Sequence, residues 1–257
     1  MSVDMNKVPM LSRVQVEQAA DWFLKDAGNR LGYSISPPIE PDILAEFYLD
    51  LRIEYCDLTG HSKIQDTFGA LILADKLIKV EETLQEGRLN FTIGHELGHW
   101  VLHRKLIKPP NPDQLLMFDD DRSKSKEPSD FIVCRKSNSR EWGERQADWF
   151  SAALLMPMEF VKRAYYSIFS HPHAFKQETL DGYINGFKRG RKSLQDIFEG
   201  LNPRLEILDI IDRVKEAGDF HNVSDDAMRI RLQKLNLIIS EEAPKMVFAE
   251  LLGKDRL

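Results

Sequence analysis

The segment FTIGHELGHW, residues 91–100, constrains the fold more than any other stretch, because its apolar and polar residues recur with a helical period. At about 100° per residue, Ile93 and Leu97 lie on one apolar stripe, and His95 and His99 lie on the opposite side. The pattern predicts a helix that packs one face against a core and carries two imidazoles one turn apart. The alternative is an ordinary amphipathic helix, because HExxH arises by chance in roughly one protein in a hundred.

Two imidazoles at this spacing can converge on one metal ion, at roughly 2.0 to 2.1 Å from each ligating nitrogen. Glu96, directly after the first histidine, would then stand beside the ion without binding it. From there it can take a proton from a metal-bound water whose pKa the ion has lowered to about 7. Glu96 is therefore the candidate catalytic base. Zinc in a hydrolase normally has three protein ligands, so the chain must supply a third.

His103 is the nearest candidate for a third ligand, but on a straight helix it lies about 12 Å along the axis from His95. We interpret it as a residue at the helix end, where the helix dipole favours it. The HExxHxxGxxH pattern of astacin-type enzymes is excluded, because Leu102 stands where that pattern has its glycine.

The stretch ERQAD provides the predicted third ligand. Glu144 and Asp148 share one face of a predicted helix, where two acids would repel unless a cation and a histidine N–H each bind one. We assign Glu144 to the metal and Asp148 to a hydrogen bond with a ligand histidine. Glu141 is the rival, but Arg145 four residues later is the arrangement of a surface ion pair.

The remaining pattern predicts an α+β fold with a small, mainly antiparallel sheet and helical additions at both ends. A helix is predicted up to Gly28, followed by strands at LRIEY, GALILA and LIKVEE, the last two as a hairpin. A polar, proline-containing stretch over residues 105–140 is predicted to be an exposed loop. We expect an N-terminal helical extension (1–36), a central domain (37–170) and a C-terminal helical subdomain (171–257).

The C-terminal stretch from residue 204 to 238 predicts two helices, the second capped by Ser224, and resembles a helix-turn-helix. Asp225 and Asp226 would repel phosphates in the first turn of a recognition helix. A packing or partner-binding role is therefore favoured over direct binding of nucleic acid.

Charge and cysteine content limit the class of protein. A net charge of −6 over 257 residues, with no block of Lys and Arg, does not favour capture of nucleic acid or an anionic membrane. No signal peptide or membrane span is recognisable, and Cys56 and Cys134 fit neither a disulfide framework nor a CxxC site. We expect a cytoplasmic protein. Cys134 is interpreted as an ordinary cysteine, with an inhibitory thiolate ligand as the alternative.

The motifs NFTIGHELGHWVLH and ERQADWFSAALLMP together resemble the ImmA/IrrE-type metallopeptidases, a gluzincin-like group of bacterial and phage regulatory proteases. The resemblance covers about residues 37–157. It implies a zincin-like core, a metal held by His95, His99 and Glu144, and Glu96 as general base.

The resemblance also implies a zinc-dependent endopeptidase that makes limited cuts in a helix-turn-helix transcriptional repressor. Two histidines and a carboxylate suit Zn²⁺ best and also admit Mn²⁺ or Fe²⁺. The alternative is a non-catalytic regulator or toxin–antitoxin component that binds DNA or protein and uses the metal structurally. The oligomeric state is left open.

Overall fold

The computed structural model describes residues 8–58, 67–104, 131–135, 142–175 and 207–240. The chain divides into two compact units, Met1–Pro157 and Met158–Leu257. None of the helices within the described ranges is long and apolar enough to cross a membrane.

Several helices lie in the described part of the first unit. They are α1 (Arg13–Leu31), a short α2 (Pro41–Ile43) that continues into a π-helical turn (Leu44–Tyr48), α3 (Glu86–His103) and α4 (Trp142–Leu155). Helix α1 begins at a capping box, in which Ser12 and Gln15 bond reciprocally, and ends at Gly32 in the left-handed conformation, φ 81°. The apolar stripe of α1 faces α4, where Phe23 and Phe150 make an edge-to-face contact at 5.7 Å. Helix α1 therefore packs against α4 within the first unit, and the expected N-terminal extension over residues 1–36 stays a prediction.

The sheet has four strands in the order β1-β3-β2-β4: Arg52–Cys56, Leu77–Glu81, Thr67–Ile72 and Phe131–Arg135. Strand β2 is antiparallel to both of its neighbours, and β1 is parallel to β3. The predicted α+β class and the hairpin of β2 and β3 are present, with Lys76 in the turn at φ 49°. The sheet is therefore mixed, because β1 enters it in the same direction as β3.

Strand β4 corrects the predicted loop. Residues 105–140 were expected to be an exposed loop, but Phe131–Arg135 forms the edge strand beside β2. Five residues carry too short a pattern to separate a strand from a loop, and this strand depends on its partner for its hydrogen bonds. The rest of that segment lies outside the described residues.

The two glycines of the HELGH helix allow α3 and α4 to pack closely. A Cβ at Gly94 would stand 2.6 Å from Ser151 Oγ, and one at Gly98 would stand 2.9 Å from Ala147 Cα. Ser151 Oγ also donates a hydrogen bond of 2.8 Å to the backbone carbonyl of Phe91. This close approach brings the polar face of α3 against α4.

The second unit contains α5 (Met158–Ile168), β5 (His173–Phe175), a helix over residues 207–218 (α6), α7 (Asp225–Lys234) and β6 (Ile238–Ser240). Ser224 Oγ accepts a bond from the backbone N–H of Ala227 at 3.2 Å, so this helix has the predicted cap. Strands β5 and β6 pair in parallel. Tyr165 of α5 is fully buried and donates to the carbonyl of Leu237 at 2.8 Å, which ties α5 to the end of the unit. The second unit begins at Met158, and the domain boundary expected at residue 170 stays a prediction.

Candidate metal centre

Helix α3 places two buried imidazoles against each other. His95 and His99 are one turn apart, and their Nε2 atoms are 3.0 Å from each other. His95 is 3 % exposed and His99 is 0 % exposed. The polar side of the predicted amphipathic helix is therefore buried against α4 and not in contact with solvent.

Helix α4 completes the group with Glu144. Its Oε2 lies 3.2 Å from His95 Nε2, and its Oε1 lies 3.4 Å from His99 Nε2. Atoms bound at 2.0 to 2.1 Å to a tetrahedral ion are about 3.3 to 3.4 Å apart, so the observed separations agree to within about 0.4 Å. The group His95, His99 and Glu144 could therefore hold a metal ion without rearrangement.

Each of the two histidines has a partner at its other ring nitrogen, Nδ1. His95 Nδ1 lies 3.0 Å from Asp148 Oδ1, and a carboxylate can only accept, so Nδ1 carries the proton. His99 Nδ1 lies 3.0 Å from Nδ1 of His103, whose Nε2 in turn lies 3.0 Å from Gln146 Oε1. Such partners fix the tautomer of a metal ligand.

The electrostatics favour a cation. Burial lowers the pKa of His99 to about 4, so its imidazole is neutral near pH 7. Burial raises the pKa of Glu144, but its contacts with His95 and His99 outweigh this and hold the pKa below the usual range. The carboxylate of Glu144 and the neutral imidazole of His99 thus face each other in a buried space, which is a costly arrangement unless a positive charge is nearby.

Glu96 lies on the same turn of α3 and is completely buried. Neither of its carboxylate oxygens has a hydrogen-bond partner within the described parts of the chain. Burial, together with the charge of Glu144, raises the pKa of Glu96 to about 8, although His95 opposes the shift. Strand β2 leaves room for this carboxylate at Gly69, where a Cβ would stand 2.9 Å from Glu96 Oε1. A buried carboxylate left without a bond is typical of a functional site.

The structure brings together the side chains predicted from the sequence: Glu96, His95, His99, Glu144 and Asp148. Their roles in binding and catalysis stay predictions.

Three further residues were interpreted from the sequence: His103, Glu141 and Cys134. His103 does end α3, but it is fully buried in contact with His99, which the interpretation as a helix-end residue missed. The spacing of four residues between His99 and His103 is the sequence signal that predicts contact between these two side chains. No role was predicted for Gln146, whose Oε1 lies against His103. Glu141 and the side chain of Cys134 lie outside the described residues.

The fold places two histidines of an HExxH helix and a glutamate from a second helix where they could hold one metal ion, which is the arrangement expected of an HExxH metalloprotein. Residues 48–174 match the model of the Peptidase_M78 family, described as the IrrE N-terminal-like domain. This match confirms the resemblance to the ImmA/IrrE metallopeptidase family seen in the two motifs. No curated protein matches the chain.

Proposed function

We propose that this chain is a zinc-dependent endopeptidase that makes limited cuts in a helix-turn-helix transcriptional repressor in the cytoplasm. The observation that carries the proposal is the convergence of His95, His99 and Glu144 near the buried carboxylate of Glu96, which has no hydrogen-bond partner among the described residues. Membership of a peptidase family supports the same class of reaction.

The ligand set favours zinc among the metals that it could hold. Two imidazoles and one carboxylate are a common set for catalytic zinc, while Mn²⁺ and Fe²⁺ accept the same donors. When bound, the ion would supply positive charge that polarises a peptide carbonyl and lowers the pKa of nearby water and of Glu96.

The side chains of the site then have distinct tasks. His95 and His99 hold the metal together with Glu144, and Asp148 keeps His95 in the tautomer with the proton on Nδ1. Glu96 accepts the proton of the attacking water and passes it to the nitrogen that leaves. Because the carboxylate of Glu96 bonds to nothing else in the described residues, both of its oxygens are available for this transfer.

A protein substrate is favoured over nucleic acid by the charge of the second unit. The first turn of α7 carries Asp225 and Asp226, which bind Lys215 at 2.6 Å and Arg229 at 3.3 Å. Lys215 and Arg229 therefore form ion pairs with these acids and are not directed at phosphates, which disfavours nucleic acid as the partner. A repressor is proposed as the substrate because of the resemblance to the ImmA/IrrE family.

The metal is tested by elemental mass spectrometry on the purified chain. We expect one zinc per wild-type chain, loss of zinc in Glu144→Ala, and retention in the matched control Glu141→Ala. Equal retention in both variants would refute the assignment of Glu144.

The reaction is tested by incubating the zinc-loaded chain with a proteome-derived peptide library and with purified helix-turn-helix repressors. Cleavage should appear with the wild type and disappear in Glu96→Gln, which should keep its zinc. Cleavage of the library without cleavage of any repressor would refute the substrate and leave the peptidase. Zinc binding without any cleavage would favour the alternative, a regulator in which the metal is structural.

A further inference from the structure

A row of hydrogen bonds connects the N-terminal segment to one of the histidines of the metal centre. Gln146 Nε2 donates to the carbonyl oxygen of Pro9 at 2.6 Å. Gln146 Oε1 lies 3.0 Å from His103 Nε2, and His103 Nδ1 lies 3.0 Å from His99 Nδ1. The row starts in a segment that precedes α4 by more than a hundred residues and ends inside the metal centre.

The direction of every bond in this row follows from its first member. The carbonyl of Pro9 can only accept, so the amide of Gln146 must direct its NH₂ there and its oxygen toward His103. The reverse orientation of the amide would place two acceptors 2.6 Å apart. Since Gln146 Oε1 accepts, His103 Nε2 carries a proton and donates it.

The same reasoning continues through His103 to His99. Both imidazoles are 0 % exposed, where the neutral form with one ring proton is favoured. With its proton on Nε2, His103 accepts at Nδ1, so the proton of His99 lies on Nδ1. His99 Nε2 is then left with a free electron pair that points at Glu144 and His95, 3.4 and 3.0 Å away.

We propose that His103 and Gln146 are positioning residues that hold His99 in its metal-binding tautomer, with the Pro9 carbonyl setting the direction of the row. Without this row the proton of His99 can move to Nε2, where the carboxylate of Glu144 is near enough to accept it. A metal ion would then have to displace that proton before it could bind.

The two metal-ligand histidines are thus oriented by different means. His95 donates directly to the carboxylate of Asp148. A carboxylate can only accept, so the direction of this bond does not depend on other contacts in the chain. His99 depends on two neutral side chains and on one backbone carbonyl from residues 8–12. The inference rests on the metal centre of the proposed function, but not on peptidase activity.

The first test measures the tautomer directly in the full-length, metal-free chain labelled with ¹⁵N-histidine. Long-range ¹H–¹⁵N correlation spectra near pH 7.5 distinguish the Nδ1–H from the Nε2–H form of each ring. We expect His99 of the wild type to be the Nδ1–H form. An Nε2–H form of His99 would overturn the proposal without any variant.

The second test uses His103→Phe, which keeps a ring of similar size, and Gln146→Met, which keeps the length of the side chain. The matched control is Ser151→Ala, because Ser151 is also buried on α4 and bonds to α3, but does not belong to the row. Zn²⁺ affinity is measured by competition with a chromogenic chelator, and folding of each variant by circular dichroism.

Both row variants should bind Zn²⁺ about 10- to 100-fold more weakly and show the Nε2–H form of His99, whereas Ser151→Ala should match the wild type in both. Wild-type affinity in a folded His103→Phe or Gln146→Met chain would overturn the proposal. An equal loss of affinity in Ser151→Ala would also overturn it, because loosened helix packing would then explain the effect. If His103→Phe does not fold, Gln146→Met decides.

Discussion

The close contact of α3 with α4 at Gly98 allows a quantitative prediction of how helix packing affects stability and metal binding. A Cβ at this position would stand 2.9 Å from Ala147 Cα, 3.1 Å from Ala147 O and 3.2 Å from Phe150 Cβ. Ordinary carbon–carbon contacts are about 3.5 to 4.0 Å, so Gly98→Ala requires the two helices to separate by roughly 0.5 Å or more. The atoms that the methyl group meets include the backbone of α4, which has no rotamer to escape to.

The cost of Gly98→Ala follows from two opposing effects. Overpacking costs about 1–3 kcal/mol, and we take the upper end because backbone atoms are involved. Replacing glycine by alanine within a helix stabilises the folded chain by about 1 kcal/mol. The net loss of about 2 kcal/mol should lower the melting temperature of the metal-free chain by about 4 to 8 °C. Because metal–ligand distances tolerate only about 0.2 Å, a shift of Glu144 with α4 should also weaken Zn²⁺ binding.

The matched control for Gly98→Ala is Gly94→Ala. There the added methyl group meets chiefly Ser151 Oγ at 2.6 Å, so Gly94→Ala in a Ser151→Ala background should be tolerated relative to Ser151→Ala alone. Ala147→Gly should not rescue Gly98→Ala, since it leaves the Cα and O of residue 147 in place. Thermal unfolding followed by circular dichroism, together with zinc competition, measures both effects. Unchanged melting temperature and zinc affinity in Gly98→Ala would refute the reasoning.

Three further predictions concern single groups. Burial raises the pKa of Glu96 from 4.5 to about 8, so the stability that this group contributes to the metal-free chain is complete below pH 4.5 and is lost as the pH rises toward 8. The pKa of His99 is lowered from 6.5 to about 4, so above pH 6.5 only the unfolded state still binds a fraction of a proton there, and its loss raises the stability by no more than about 0.4 kcal/mol. In urea titrations the wild type should therefore lose stability between pH 6.5 and 8 and Glu96→Gln should not; parallel curves would contradict this. Asp148→Asn should bind Zn²⁺ about 10- to 100-fold more weakly, because an amide can also donate and no longer fixes the tautomer of His95. Wild-type affinity in chelator competition would show that the hydrogen bond does not matter. Burial raises the pKa of the Cys56 thiol, so the rate of its alkylation in a Cys134→Ser chain should rise with an inflection above the ordinary cysteine value. An inflection at or below that value would count against the burial argument.

Local pattern predicted the elements whose signal lies within a few consecutive residues. The helical period around HELGH, the hairpin of β2 and β3, and the Ser224 cap each depend on neighbouring residues, so they could be read from the sequence. Strand β4 could not be predicted, because a five-residue strand is defined by the partner that it bonds to.

The residues of the candidate metal centre were also predictable where their signal lies within a few consecutive residues. The spacing of Glu144 and Asp148 predicted two acids on one face of α4, and the structure places them against opposite nitrogens of His95. His103 was interpreted only as a helix-end residue, because its partner Gln146 lies on another helix, 43 residues away in the chain.

Residues four apart on a helix share a face regardless of what surrounds the helix, so the side chains that could bind a metal are predictable from their spacing. The surroundings of those side chains depend on how the chain folds. Packing at Gly94 and Gly98 brings α4 against α3, Glu96 is buried without a hydrogen-bond partner among the described residues, and Gln146 donates to the carbonyl of Pro9. These properties depend on distances between segments far apart in the chain, which only packing of the folded chain can set.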